Sequence, residues 1–145
     1  MSWIKTAQEL SADYKFERPA NLFAIQEAER KLGAMLPADL RELLLESDGI
    51  KGTFDLGVVW RLDEVRSQNI RFRQDPQLSK IYMPFEHLLF FGDAGNGDQY
   101  GFPLHARVAS SRDVYRWDHE DDSRRWFAAD LANYLRRVAS GEDGV

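Results

Sequence analysis

The chain contains no cysteine and only three histidines among its 145 residues. The absence of cysteine excludes disulfide bonds, thiolate nucleophiles and zinc sites built on thiolates, and it is typical of a reducing compartment. Long apolar runs are also lacking. The longest ones, such as residues 88–91, are far too short to span a bilayer. Lys5 and Glu9 interrupt the stretch that a signal peptide would need. We therefore expect a cytoplasmic protein with no membrane partner.

Basic residues are outnumbered by acidic ones. Lys and Arg total 19 against 24 Asp and Glu, which gives a formal net charge of −5 and a pI near 5.2. Such a surface repels phosphate backbones, which argues against direct nucleic-acid binding, and it suits a basic protein partner. Hydrophobic residues make up 43% and charged residues 30% of the chain, a balance typical of folded proteins. The length predicts one domain over residues 1–145.

The first third of the chain has the periodicity of helices. Apolar residues recur every three to four positions across residues 3–14, which predicts a helix that ends before Pro19. A second helix is predicted over residues 21–33, because asparagine at its start can cap it and glycine at its end suits the left-handed conformation. A third follows over residues 37–48, with proline in its first turn and an Asp-Gly pair at its end.

Strand patterns dominate the remainder of the chain. The predicted elements are strands at residues 54–60, 88–91, 99–102 and 114–117 and helices at residues 62–73 and 127–138. Residues 74–84 are predicted to form a loop, and the polar tail, residues 140–145, is expected to fray. Helices followed by strands and a closing helix predict an α+β fold. We expect a mostly antiparallel central sheet, packed by the N-terminal helices and the C-terminal helix.

The stretch of residues 92–98 holds three glycines beside short polar side chains. Its glycine spacing matches neither a dinucleotide-binding loop nor a phosphate loop, and an EF-hand would need oxygen ligands where Gly95 and Gly97 stand. The Asn96-Gly97 pair instead predicts a hairpin turn between two strands. Such a turn is compatible with a role in partner binding, because exposed loops on a rigid sheet often carry recognition.

A second acidic stretch, residues 118–122, surrounds His119. A histidine flanked by carboxylates can act as a general base or a metal ligand, but His87 and His105 show no ligand spacing with it. The stretch is also typical of an acidic turn before a helix. No nucleophile motif is present, so the sequence predicts no catalytic residue, no metal ligand and no cofactor. An enzyme that uses Asp93, Asp98 and His119 stays the alternative from a different functional class.

Four blocks of the sequence resemble, in order, the SUKH (Smi/Knr-like) superfamily. They are residues 25–49 with the letters IQEAERKLGAMLP and a closing Asp-Gly, residues 88–98 (LLFFGDAGNGD), residues 114–120 (VYRWDHE) and residues 126–135 (WFAADLANYL). The similarity is strongest over residues 20–138. Asp48 departs from the pattern, since the family usually has asparagine before this glycine, and either residue suits the turn.

The resemblance implies an α+β fold with helices around a central sheet. It also implies a role, because many bacterial members are immunity proteins that bind and neutralise toxins, often nucleases, delivered by neighbouring cells. Other members are thought to act as scaffolds, so a domain that binds a cellular protein or peptide is the alternative. The family has no established shared catalytic residue, and the chain is interpreted as a non-catalytic protein-binding domain.

An acidic binder can mimic nucleic acid toward a nuclease, and long-range attraction accelerates such an encounter by roughly 10–10³-fold at low salt. The candidate contact surface combines the two acidic stretches, provided that the fold brings them to one end of the sheet. Its predicted partner-binding residues are Asp93, Asn96, Asp98, Asp118, His119, Glu120, Asp121 and Asp122.

Overall fold

The computed structural model describes residues 2–141, which form helices and antiparallel strands. The helices are α1 (Trp3–Leu10), α2 (Leu22–Leu32), α3 (Ala38–Glu46), α4 (Leu62–Gln74), α5 (Pro76–Ser79) and α6 (Leu131–Ala139). The strands are β1 (Lys15–Phe16), β2 (Ile50–Lys51), β3 (Gly57–Val59), β4 (Leu88–Asp93), β5 (Gln99–His105), β6 (Val108–Ala109), β7 (Val114–Trp117) and β8 (Arg124–Ala128). This architecture confirms the predicted α+β fold. Of the tail expected to fray, residues 142–145 lie outside the described residues.

Local signals position the helices. The Asn21 side chain accepts a hydrogen bond from the Ala24 amide at 2.8 Å and caps α2, and Gly33 ends this helix with a φ of 67°. Asp130 caps α6 in the same way, through a 2.8 Å bond from the Asn133 amide. None of the helices in residues 2–141 is long and apolar enough to cross a membrane.

The strands form two antiparallel sheets. The smaller sheet has the order β1-β2-β3, and the main sheet has the order β4-β5-β7-β8, with β6 pairing alongside β5. Trp60 joins the two sheets: its amide donates to the Phe91 carbonyl at 2.7 Å, and its indole donates to the Asp93 carboxylate at 2.8 Å. On the outer side of β4, the Asn69 side chain from α4 both donates to the Phe90 carbonyl and accepts from its amide. The side-chain amide of Asn69 thus makes the two hydrogen bonds that a neighbouring strand would make with Phe90.

The structure corrects several predicted elements. The strands predicted over residues 88–91 and 99–102 extend to Asp93 and His105. The strand predicted over residues 54–60 begins only at Gly57, because Thr53–Asp55 form a 3₁₀ turn with a left-handed Phe54. The helix predicted from residue 127 begins at Leu131, because the preceding residues pair with β7 as β8. The first helix ends at Leu10 rather than residue 14, and the predicted loop at residues 74–84 contains α5.

The core positions the ends of the main sheet. Trp117, the last residue of β7, is 3% exposed and makes edge-on contacts with the rings of Phe72 and Phe85. On the other face, the buried Tyr134 hydroxyl donates to the Val58 carbonyl at 2.6 Å and ties α6 to β3. The turns that follow β4 and β7 are therefore attached to rigid elements.

Candidate functional site

The two acidic stretches form turns at the same end of the main sheet. Residues 94–98 connect β4 to β5, and residues 118–123 connect β7 to β8. Because β5 and β7 are antiparallel neighbours with Gln99 opposite Trp117, the first turn ends where the second begins. The fold thus brings both acidic stretches to one end of the sheet, as a shared contact surface requires.

The turn at residues 94–98 is the hairpin that Asn96-Gly97 predicted. The Ala94 amide donates to the Asp98 carbonyl at 3.0 Å, and the Asp98 amide donates to the Asn96 side chain at 3.0 Å. Gly97 has a φ of 101°, and a Cβ at this position would lie 2.9 Å from the ring of His119. Glycine is required here both by the backbone conformation and by the approach of the second turn.

Asp98 joins the two turns. This residue is 6% exposed, and its Oδ2 accepts hydrogen bonds from Arg116 Nη2 at 2.9 Å and Nε at 3.2 Å. Its Oδ1 lies 2.6 Å from His119 Nδ1 and accepts from the His119 amide at 3.1 Å. Burial alone would raise the pKa of the Asp98 carboxyl, but the bonds from His119 and Arg116 outweigh it and lower this pKa. The carboxylate is therefore charged and fully engaged by intramolecular donors.

His119 lies on the outer side of this arrangement. Its hydrogen bond with Asp98 raises the pKa of the imidazole, and its backbone carbonyl accepts a 2.7 Å bond from the Tyr82 hydroxyl. Ligand atoms of Asp98, Asp118 and His119 lie within 4.8 Å of one another, a spacing that a metal ion could use. However, the guanidinium of Arg116 occupies Asp98 Oδ2, and a fixed positive charge there opposes a second cation. The arrangement favours a clamp between two turns over a metal site.

Two other acidic residues of the predicted set are also held internally. Asp93 accepts the Trp60 indole bond, and burial raises the pKa of its carboxyl. Asp122 accepts from the Trp117 indole at 2.7 Å and from the Met83 amide at 2.8 Å. Burial acts to raise the pKa of Asp122, yet these bonds and the ion pair with Arg124 lower it. Both side chains stabilise the end of the sheet and contribute little free negative charge to its surface.

The remaining acidic residues of the second turn are Glu120 and Asp121, which are exposed, and Asp118, which is half-buried. Among residues 2–141, no cation lies within the 4.0 Å ion-pair distance of Asp118, Glu120 or Asp121. Asp118 Oδ1 accepts from the Glu120 amide at 2.8 Å, and Asp121 Oδ1 accepts from the Ser123 amide at 2.9 Å. These bonds shape the turn. The bonds from Ser123, with a smaller attraction from Arg125, lower the pKa of the Asp121 carboxyl. The exposed Asn96 lies across from them on the first turn.

Three exposed apolar side chains flank the two turns, and sequence reasoning missed all of them. Phe54 is 100% exposed, Ile81 is 69% exposed and Met83 is 61% exposed. The Phe54 loop borders the first turn, since a Cβ at Gly95 would lie 3.6 Å from the Leu56 side chain. The segment with Ile81 and Met83 is bonded to the second turn through Met83 and Asp122. The sequence signal that could have identified Phe54 is its position between Gly52 and Asp55, two residues whose types favour turns.

Phe54 also has a strained backbone. Its φ of 59° and ψ of 31° lie in the left-handed region, and Asp55 follows with a φ of 58°. A bulky side chain in this region costs roughly 1–2 kcal/mol. The strained conformation holds the aromatic ring away from the body of the protein, where it contacts solvent alone.

The fold and this end of the sheet define a small α+β domain whose acidic turns are fixed to a rigid core and flanked by exposed apolar side chains. The family model SUKH_6, described as SMI1-KNR4 cell-wall, matches residues 23–135. The chain therefore belongs to the SUKH family, as its sequence blocks predicted. Among curated proteins, no sequence matches the chain significantly.

Proposed function

We propose that this protein is a non-catalytic binding domain, an immunity protein that neutralises a bacterial toxin through the end of the sheet that carries both acidic turns. Membership of the SUKH family supports an immunity-type role. The observation that carries the proposal is Phe54, which is fully exposed and strained beside these turns. A partner that covers this ring explains why the chain keeps an exposed aromatic side chain on a strained backbone.

The energetics of Phe54 favour a contact with another protein. In the free protein, the strain of roughly 1–2 kcal/mol and the exposed ring are both unfavourable. Full burial of a phenylalanine side chain recovers about 1.5–3 kcal/mol. A rigid aromatic side chain that enters a pocket on the partner is the usual form of a binding hot spot. Ile81 and Met83 extend the apolar contact on the far side of the turns.

The charges of the second turn indicate the chemistry of the partner. Among the described residues, Asp118, Glu120 and Asp121 are in no direct ion pair, so a basic rim on the partner gains attraction without breaking one. A nuclease toxin fits this description, because the surface that it presents to phosphates is basic. We propose an apolar recess surrounded by lysines or arginines as the complementary surface.

The test first identifies the partner, either as a toxin domain of a secreted protein if one is encoded beside this chain, or as the protein that co-purifies with the chain from its native cell. Co-expression with the wild-type chain should restore growth, and Phe54→Ala should weaken binding by about 30-fold or more, as expected for a hot spot of about 2 kcal/mol. Phe23→Ala is the matched control, because Phe23 is 71% exposed on α2, away from the turns. Equal affinities of Phe54→Ala and the wild type would remove this surface from the proposal.

A second variant pair examines the charges separately. Replacing Glu120 and Asp121 by lysine should slow association by about tenfold at low salt, because long-range steering is reversed. Glu9→Lys changes one exposed charge on α1 and serves as the control. An association rate that is insensitive to both turn substitutions and to salt would contradict a basic partner. If the wild-type chain neither binds the toxin nor rescues growth, the proposed function itself fails.

A further inference from the structure

A second feature lies at the opposite end of the main sheet. A cleft of about 490 Å³ opens where β4 begins and β5 ends, whereas the acidic turns lie where β4 ends and β5 begins. It is bounded by the C-terminal turns of α2 and α4 and by the turn between β5 and β6. Its volume is in the range of small-molecule sites.

The cleft is basic although the chain as a whole is acidic. Its charged lining residues are one carboxylate, Glu86, and four cations, Arg30, Lys31, Arg73 and Arg107. Arg30 is paired with Glu27 at 2.8 Å. For the other three cations, no carboxylate of the described residues lies within the 4.0 Å ion-pair distance. Glu86 attracts Arg73 and Glu27 attracts Lys31 from beyond ion-pair distance. Three cations thus face one shared volume without a direct ion pair, and the single carboxylate of the lining does not balance their charge.

Among these cations, Arg73 is the one whose hydrogen-bond partners are weakest for its burial. Its guanidinium is half-buried, and the acceptors that it has are two backbone carbonyls, Leu32 O at 3.4 Å and Leu88 O at 3.3 Å. Its buried Nε has no hydrogen-bond acceptor. Burial lowers the pKa of Arg73, since desolvation disfavours the charged form. A charged group with weak neutral partners is the kind of residue that an oxyanion stabilises.

Arg107 reaches the cleft from a hairpin turn. Ala106 and Arg107 have φ values of 51° and 70°, so two residues other than glycine occupy the left-handed region in succession. The Met35 amide donates to the Arg107 carbonyl at 3.1 Å and holds this turn against the loop after α2. The strained turn fixes Arg107 at the mouth of the cleft, where its side chain is exposed.

Helix ends account for part of this charge. Arg30 and Lys31 belong to the last turn of α2, and Arg73 belongs to the last turn of α4, where cations offset the negative helix dipole. That role explains neither Arg107, which lies outside any helix, nor why Arg73 has no carboxylate among the described residues at ion-pair distance, since Glu86 attracts it only from farther away. We propose that this cleft is a binding site for a small organic anion, held through a phosphate or carboxylate group by Arg73, Arg107 and Lys31.

The experiment is a chemical-shift titration of the full chain with sodium pyrophosphate and, in a parallel arm, with sodium citrate. Ionic strength is held constant with sodium chloride, because screening alone shifts surface resonances. We expect saturable shifts of the cleft amides with a dissociation constant of about 1 mM or below. Binding of pyrophosphate alone assigns a phosphate ligand, and binding of citrate alone assigns a carboxylate ligand.

Variants connect the binding to the cleft. Arg107→Ser and Lys31→Ser, both surface substitutions, should each weaken anion binding by about tenfold, the effect of losing one charge-assisted hydrogen bond. Arg18→Ser is the control, since Arg18 is exposed and lies on the segment before α2, outside the cleft. The proposal is overturned if neither anion gives saturable shifts, or if Arg18→Ser weakens binding as much as Arg107→Ser. Either result leaves the proposed toxin-binding surface unaffected.

Discussion

Replacement of Asp98 by asparagine tests whether this residue holds the two acidic turns together. The substitution keeps the shape of the side chain and removes its charge. Arg116, whose side chain is 11% exposed, then loses its counter-ion, and His119 loses its charged acceptor. Breaking a buried pair costs about 3–5 kcal/mol, and the solvent-open cleft that Asp98 and Arg116 line together reduces this cost. We expect the free energy of unfolding to fall by about 2–3 kcal/mol, a large share of the 5–15 kcal/mol typical of a domain.

The pH dependence of this loss is the more specific result. Asp98 has a lowered pKa in the folded state, so its contribution is present above the ordinary carboxyl pKa of about 3.9 and is lost as pH falls through the folded-state value. His119 has a raised pKa, so its contribution is complete below about pH 6.5 and is lost as pH rises through the folded-state value. The difference between the wild type and Asp98→Asn should therefore be largest at about pH 4–6.5.

The measurement is urea unfolding of both proteins between pH 3 and pH 8, monitored by circular dichroism. Above about pH 6.5, the part of the stability difference that comes from the bond between His119 and Asp98 is lost as pH rises. The part that comes from the ion pair with Arg116 persists. Asp13→Asn is the control, because Asp13 is an exposed acid in the segment after α1. A difference below about 0.5 kcal/mol at pH 5–6, or one that does not change with pH, would refute the reasoning.

Three further substitutions test other contacts by urea unfolding. Asn69→Leu should destabilise by about 2–4 kcal/mol, because it leaves the buried amide and carbonyl of Phe90 without partners; a cost below about 1 kcal/mol would show that water replaces them. Gly92→Ala should cost at least about 2 kcal/mol, since its Cβ would lie 2.4 Å from the Val58 carbonyl oxygen, and a neutral effect would mean that this oxygen moves freely. Phe54→Gly should stabilise the free protein by about 0.5–1 kcal/mol, because the relieved strain exceeds the added backbone entropy. A loss of stability in Phe54→Gly would show that the ring has an intramolecular role.

The features that sequence alone predicted are those with local causes. Asn21 and Gly33 bound α2 because capping and left-handed geometry depend on neighbours within one turn. Asn96-Gly97 predicted its hairpin for the same reason. By contrast, Phe127 fits the apolar stripe of α6, which predicts a helical position, although pairing with β7 places it in β8. Pairing between strands decides such positions, and helical periodicity does not record it.

The candidate site shows the same division. The acidic character of both turns is visible in the sequence, but the partners that neutralise their residues are not. Arg116 is 18 positions from Asp98 and Met83 is 39 positions from Asp122, so neither contact has a local signature. The residue type of Phe54 predicts a strand, whereas its left-handed backbone follows from the closure of the loop between β2 and β3.

Trp60 has a mechanical consequence for any complex that this end of the protein forms. One backbone bond and one indole bond of this residue fasten the smaller sheet, which bears the Phe54 loop, to β4, which leads into the first acidic turn. The anchor ring and the acidic turns therefore move as one body, so docking would order few additional degrees of freedom. Preorganisation of this kind raises affinity by lowering the entropic cost of association, even when the contact area is small.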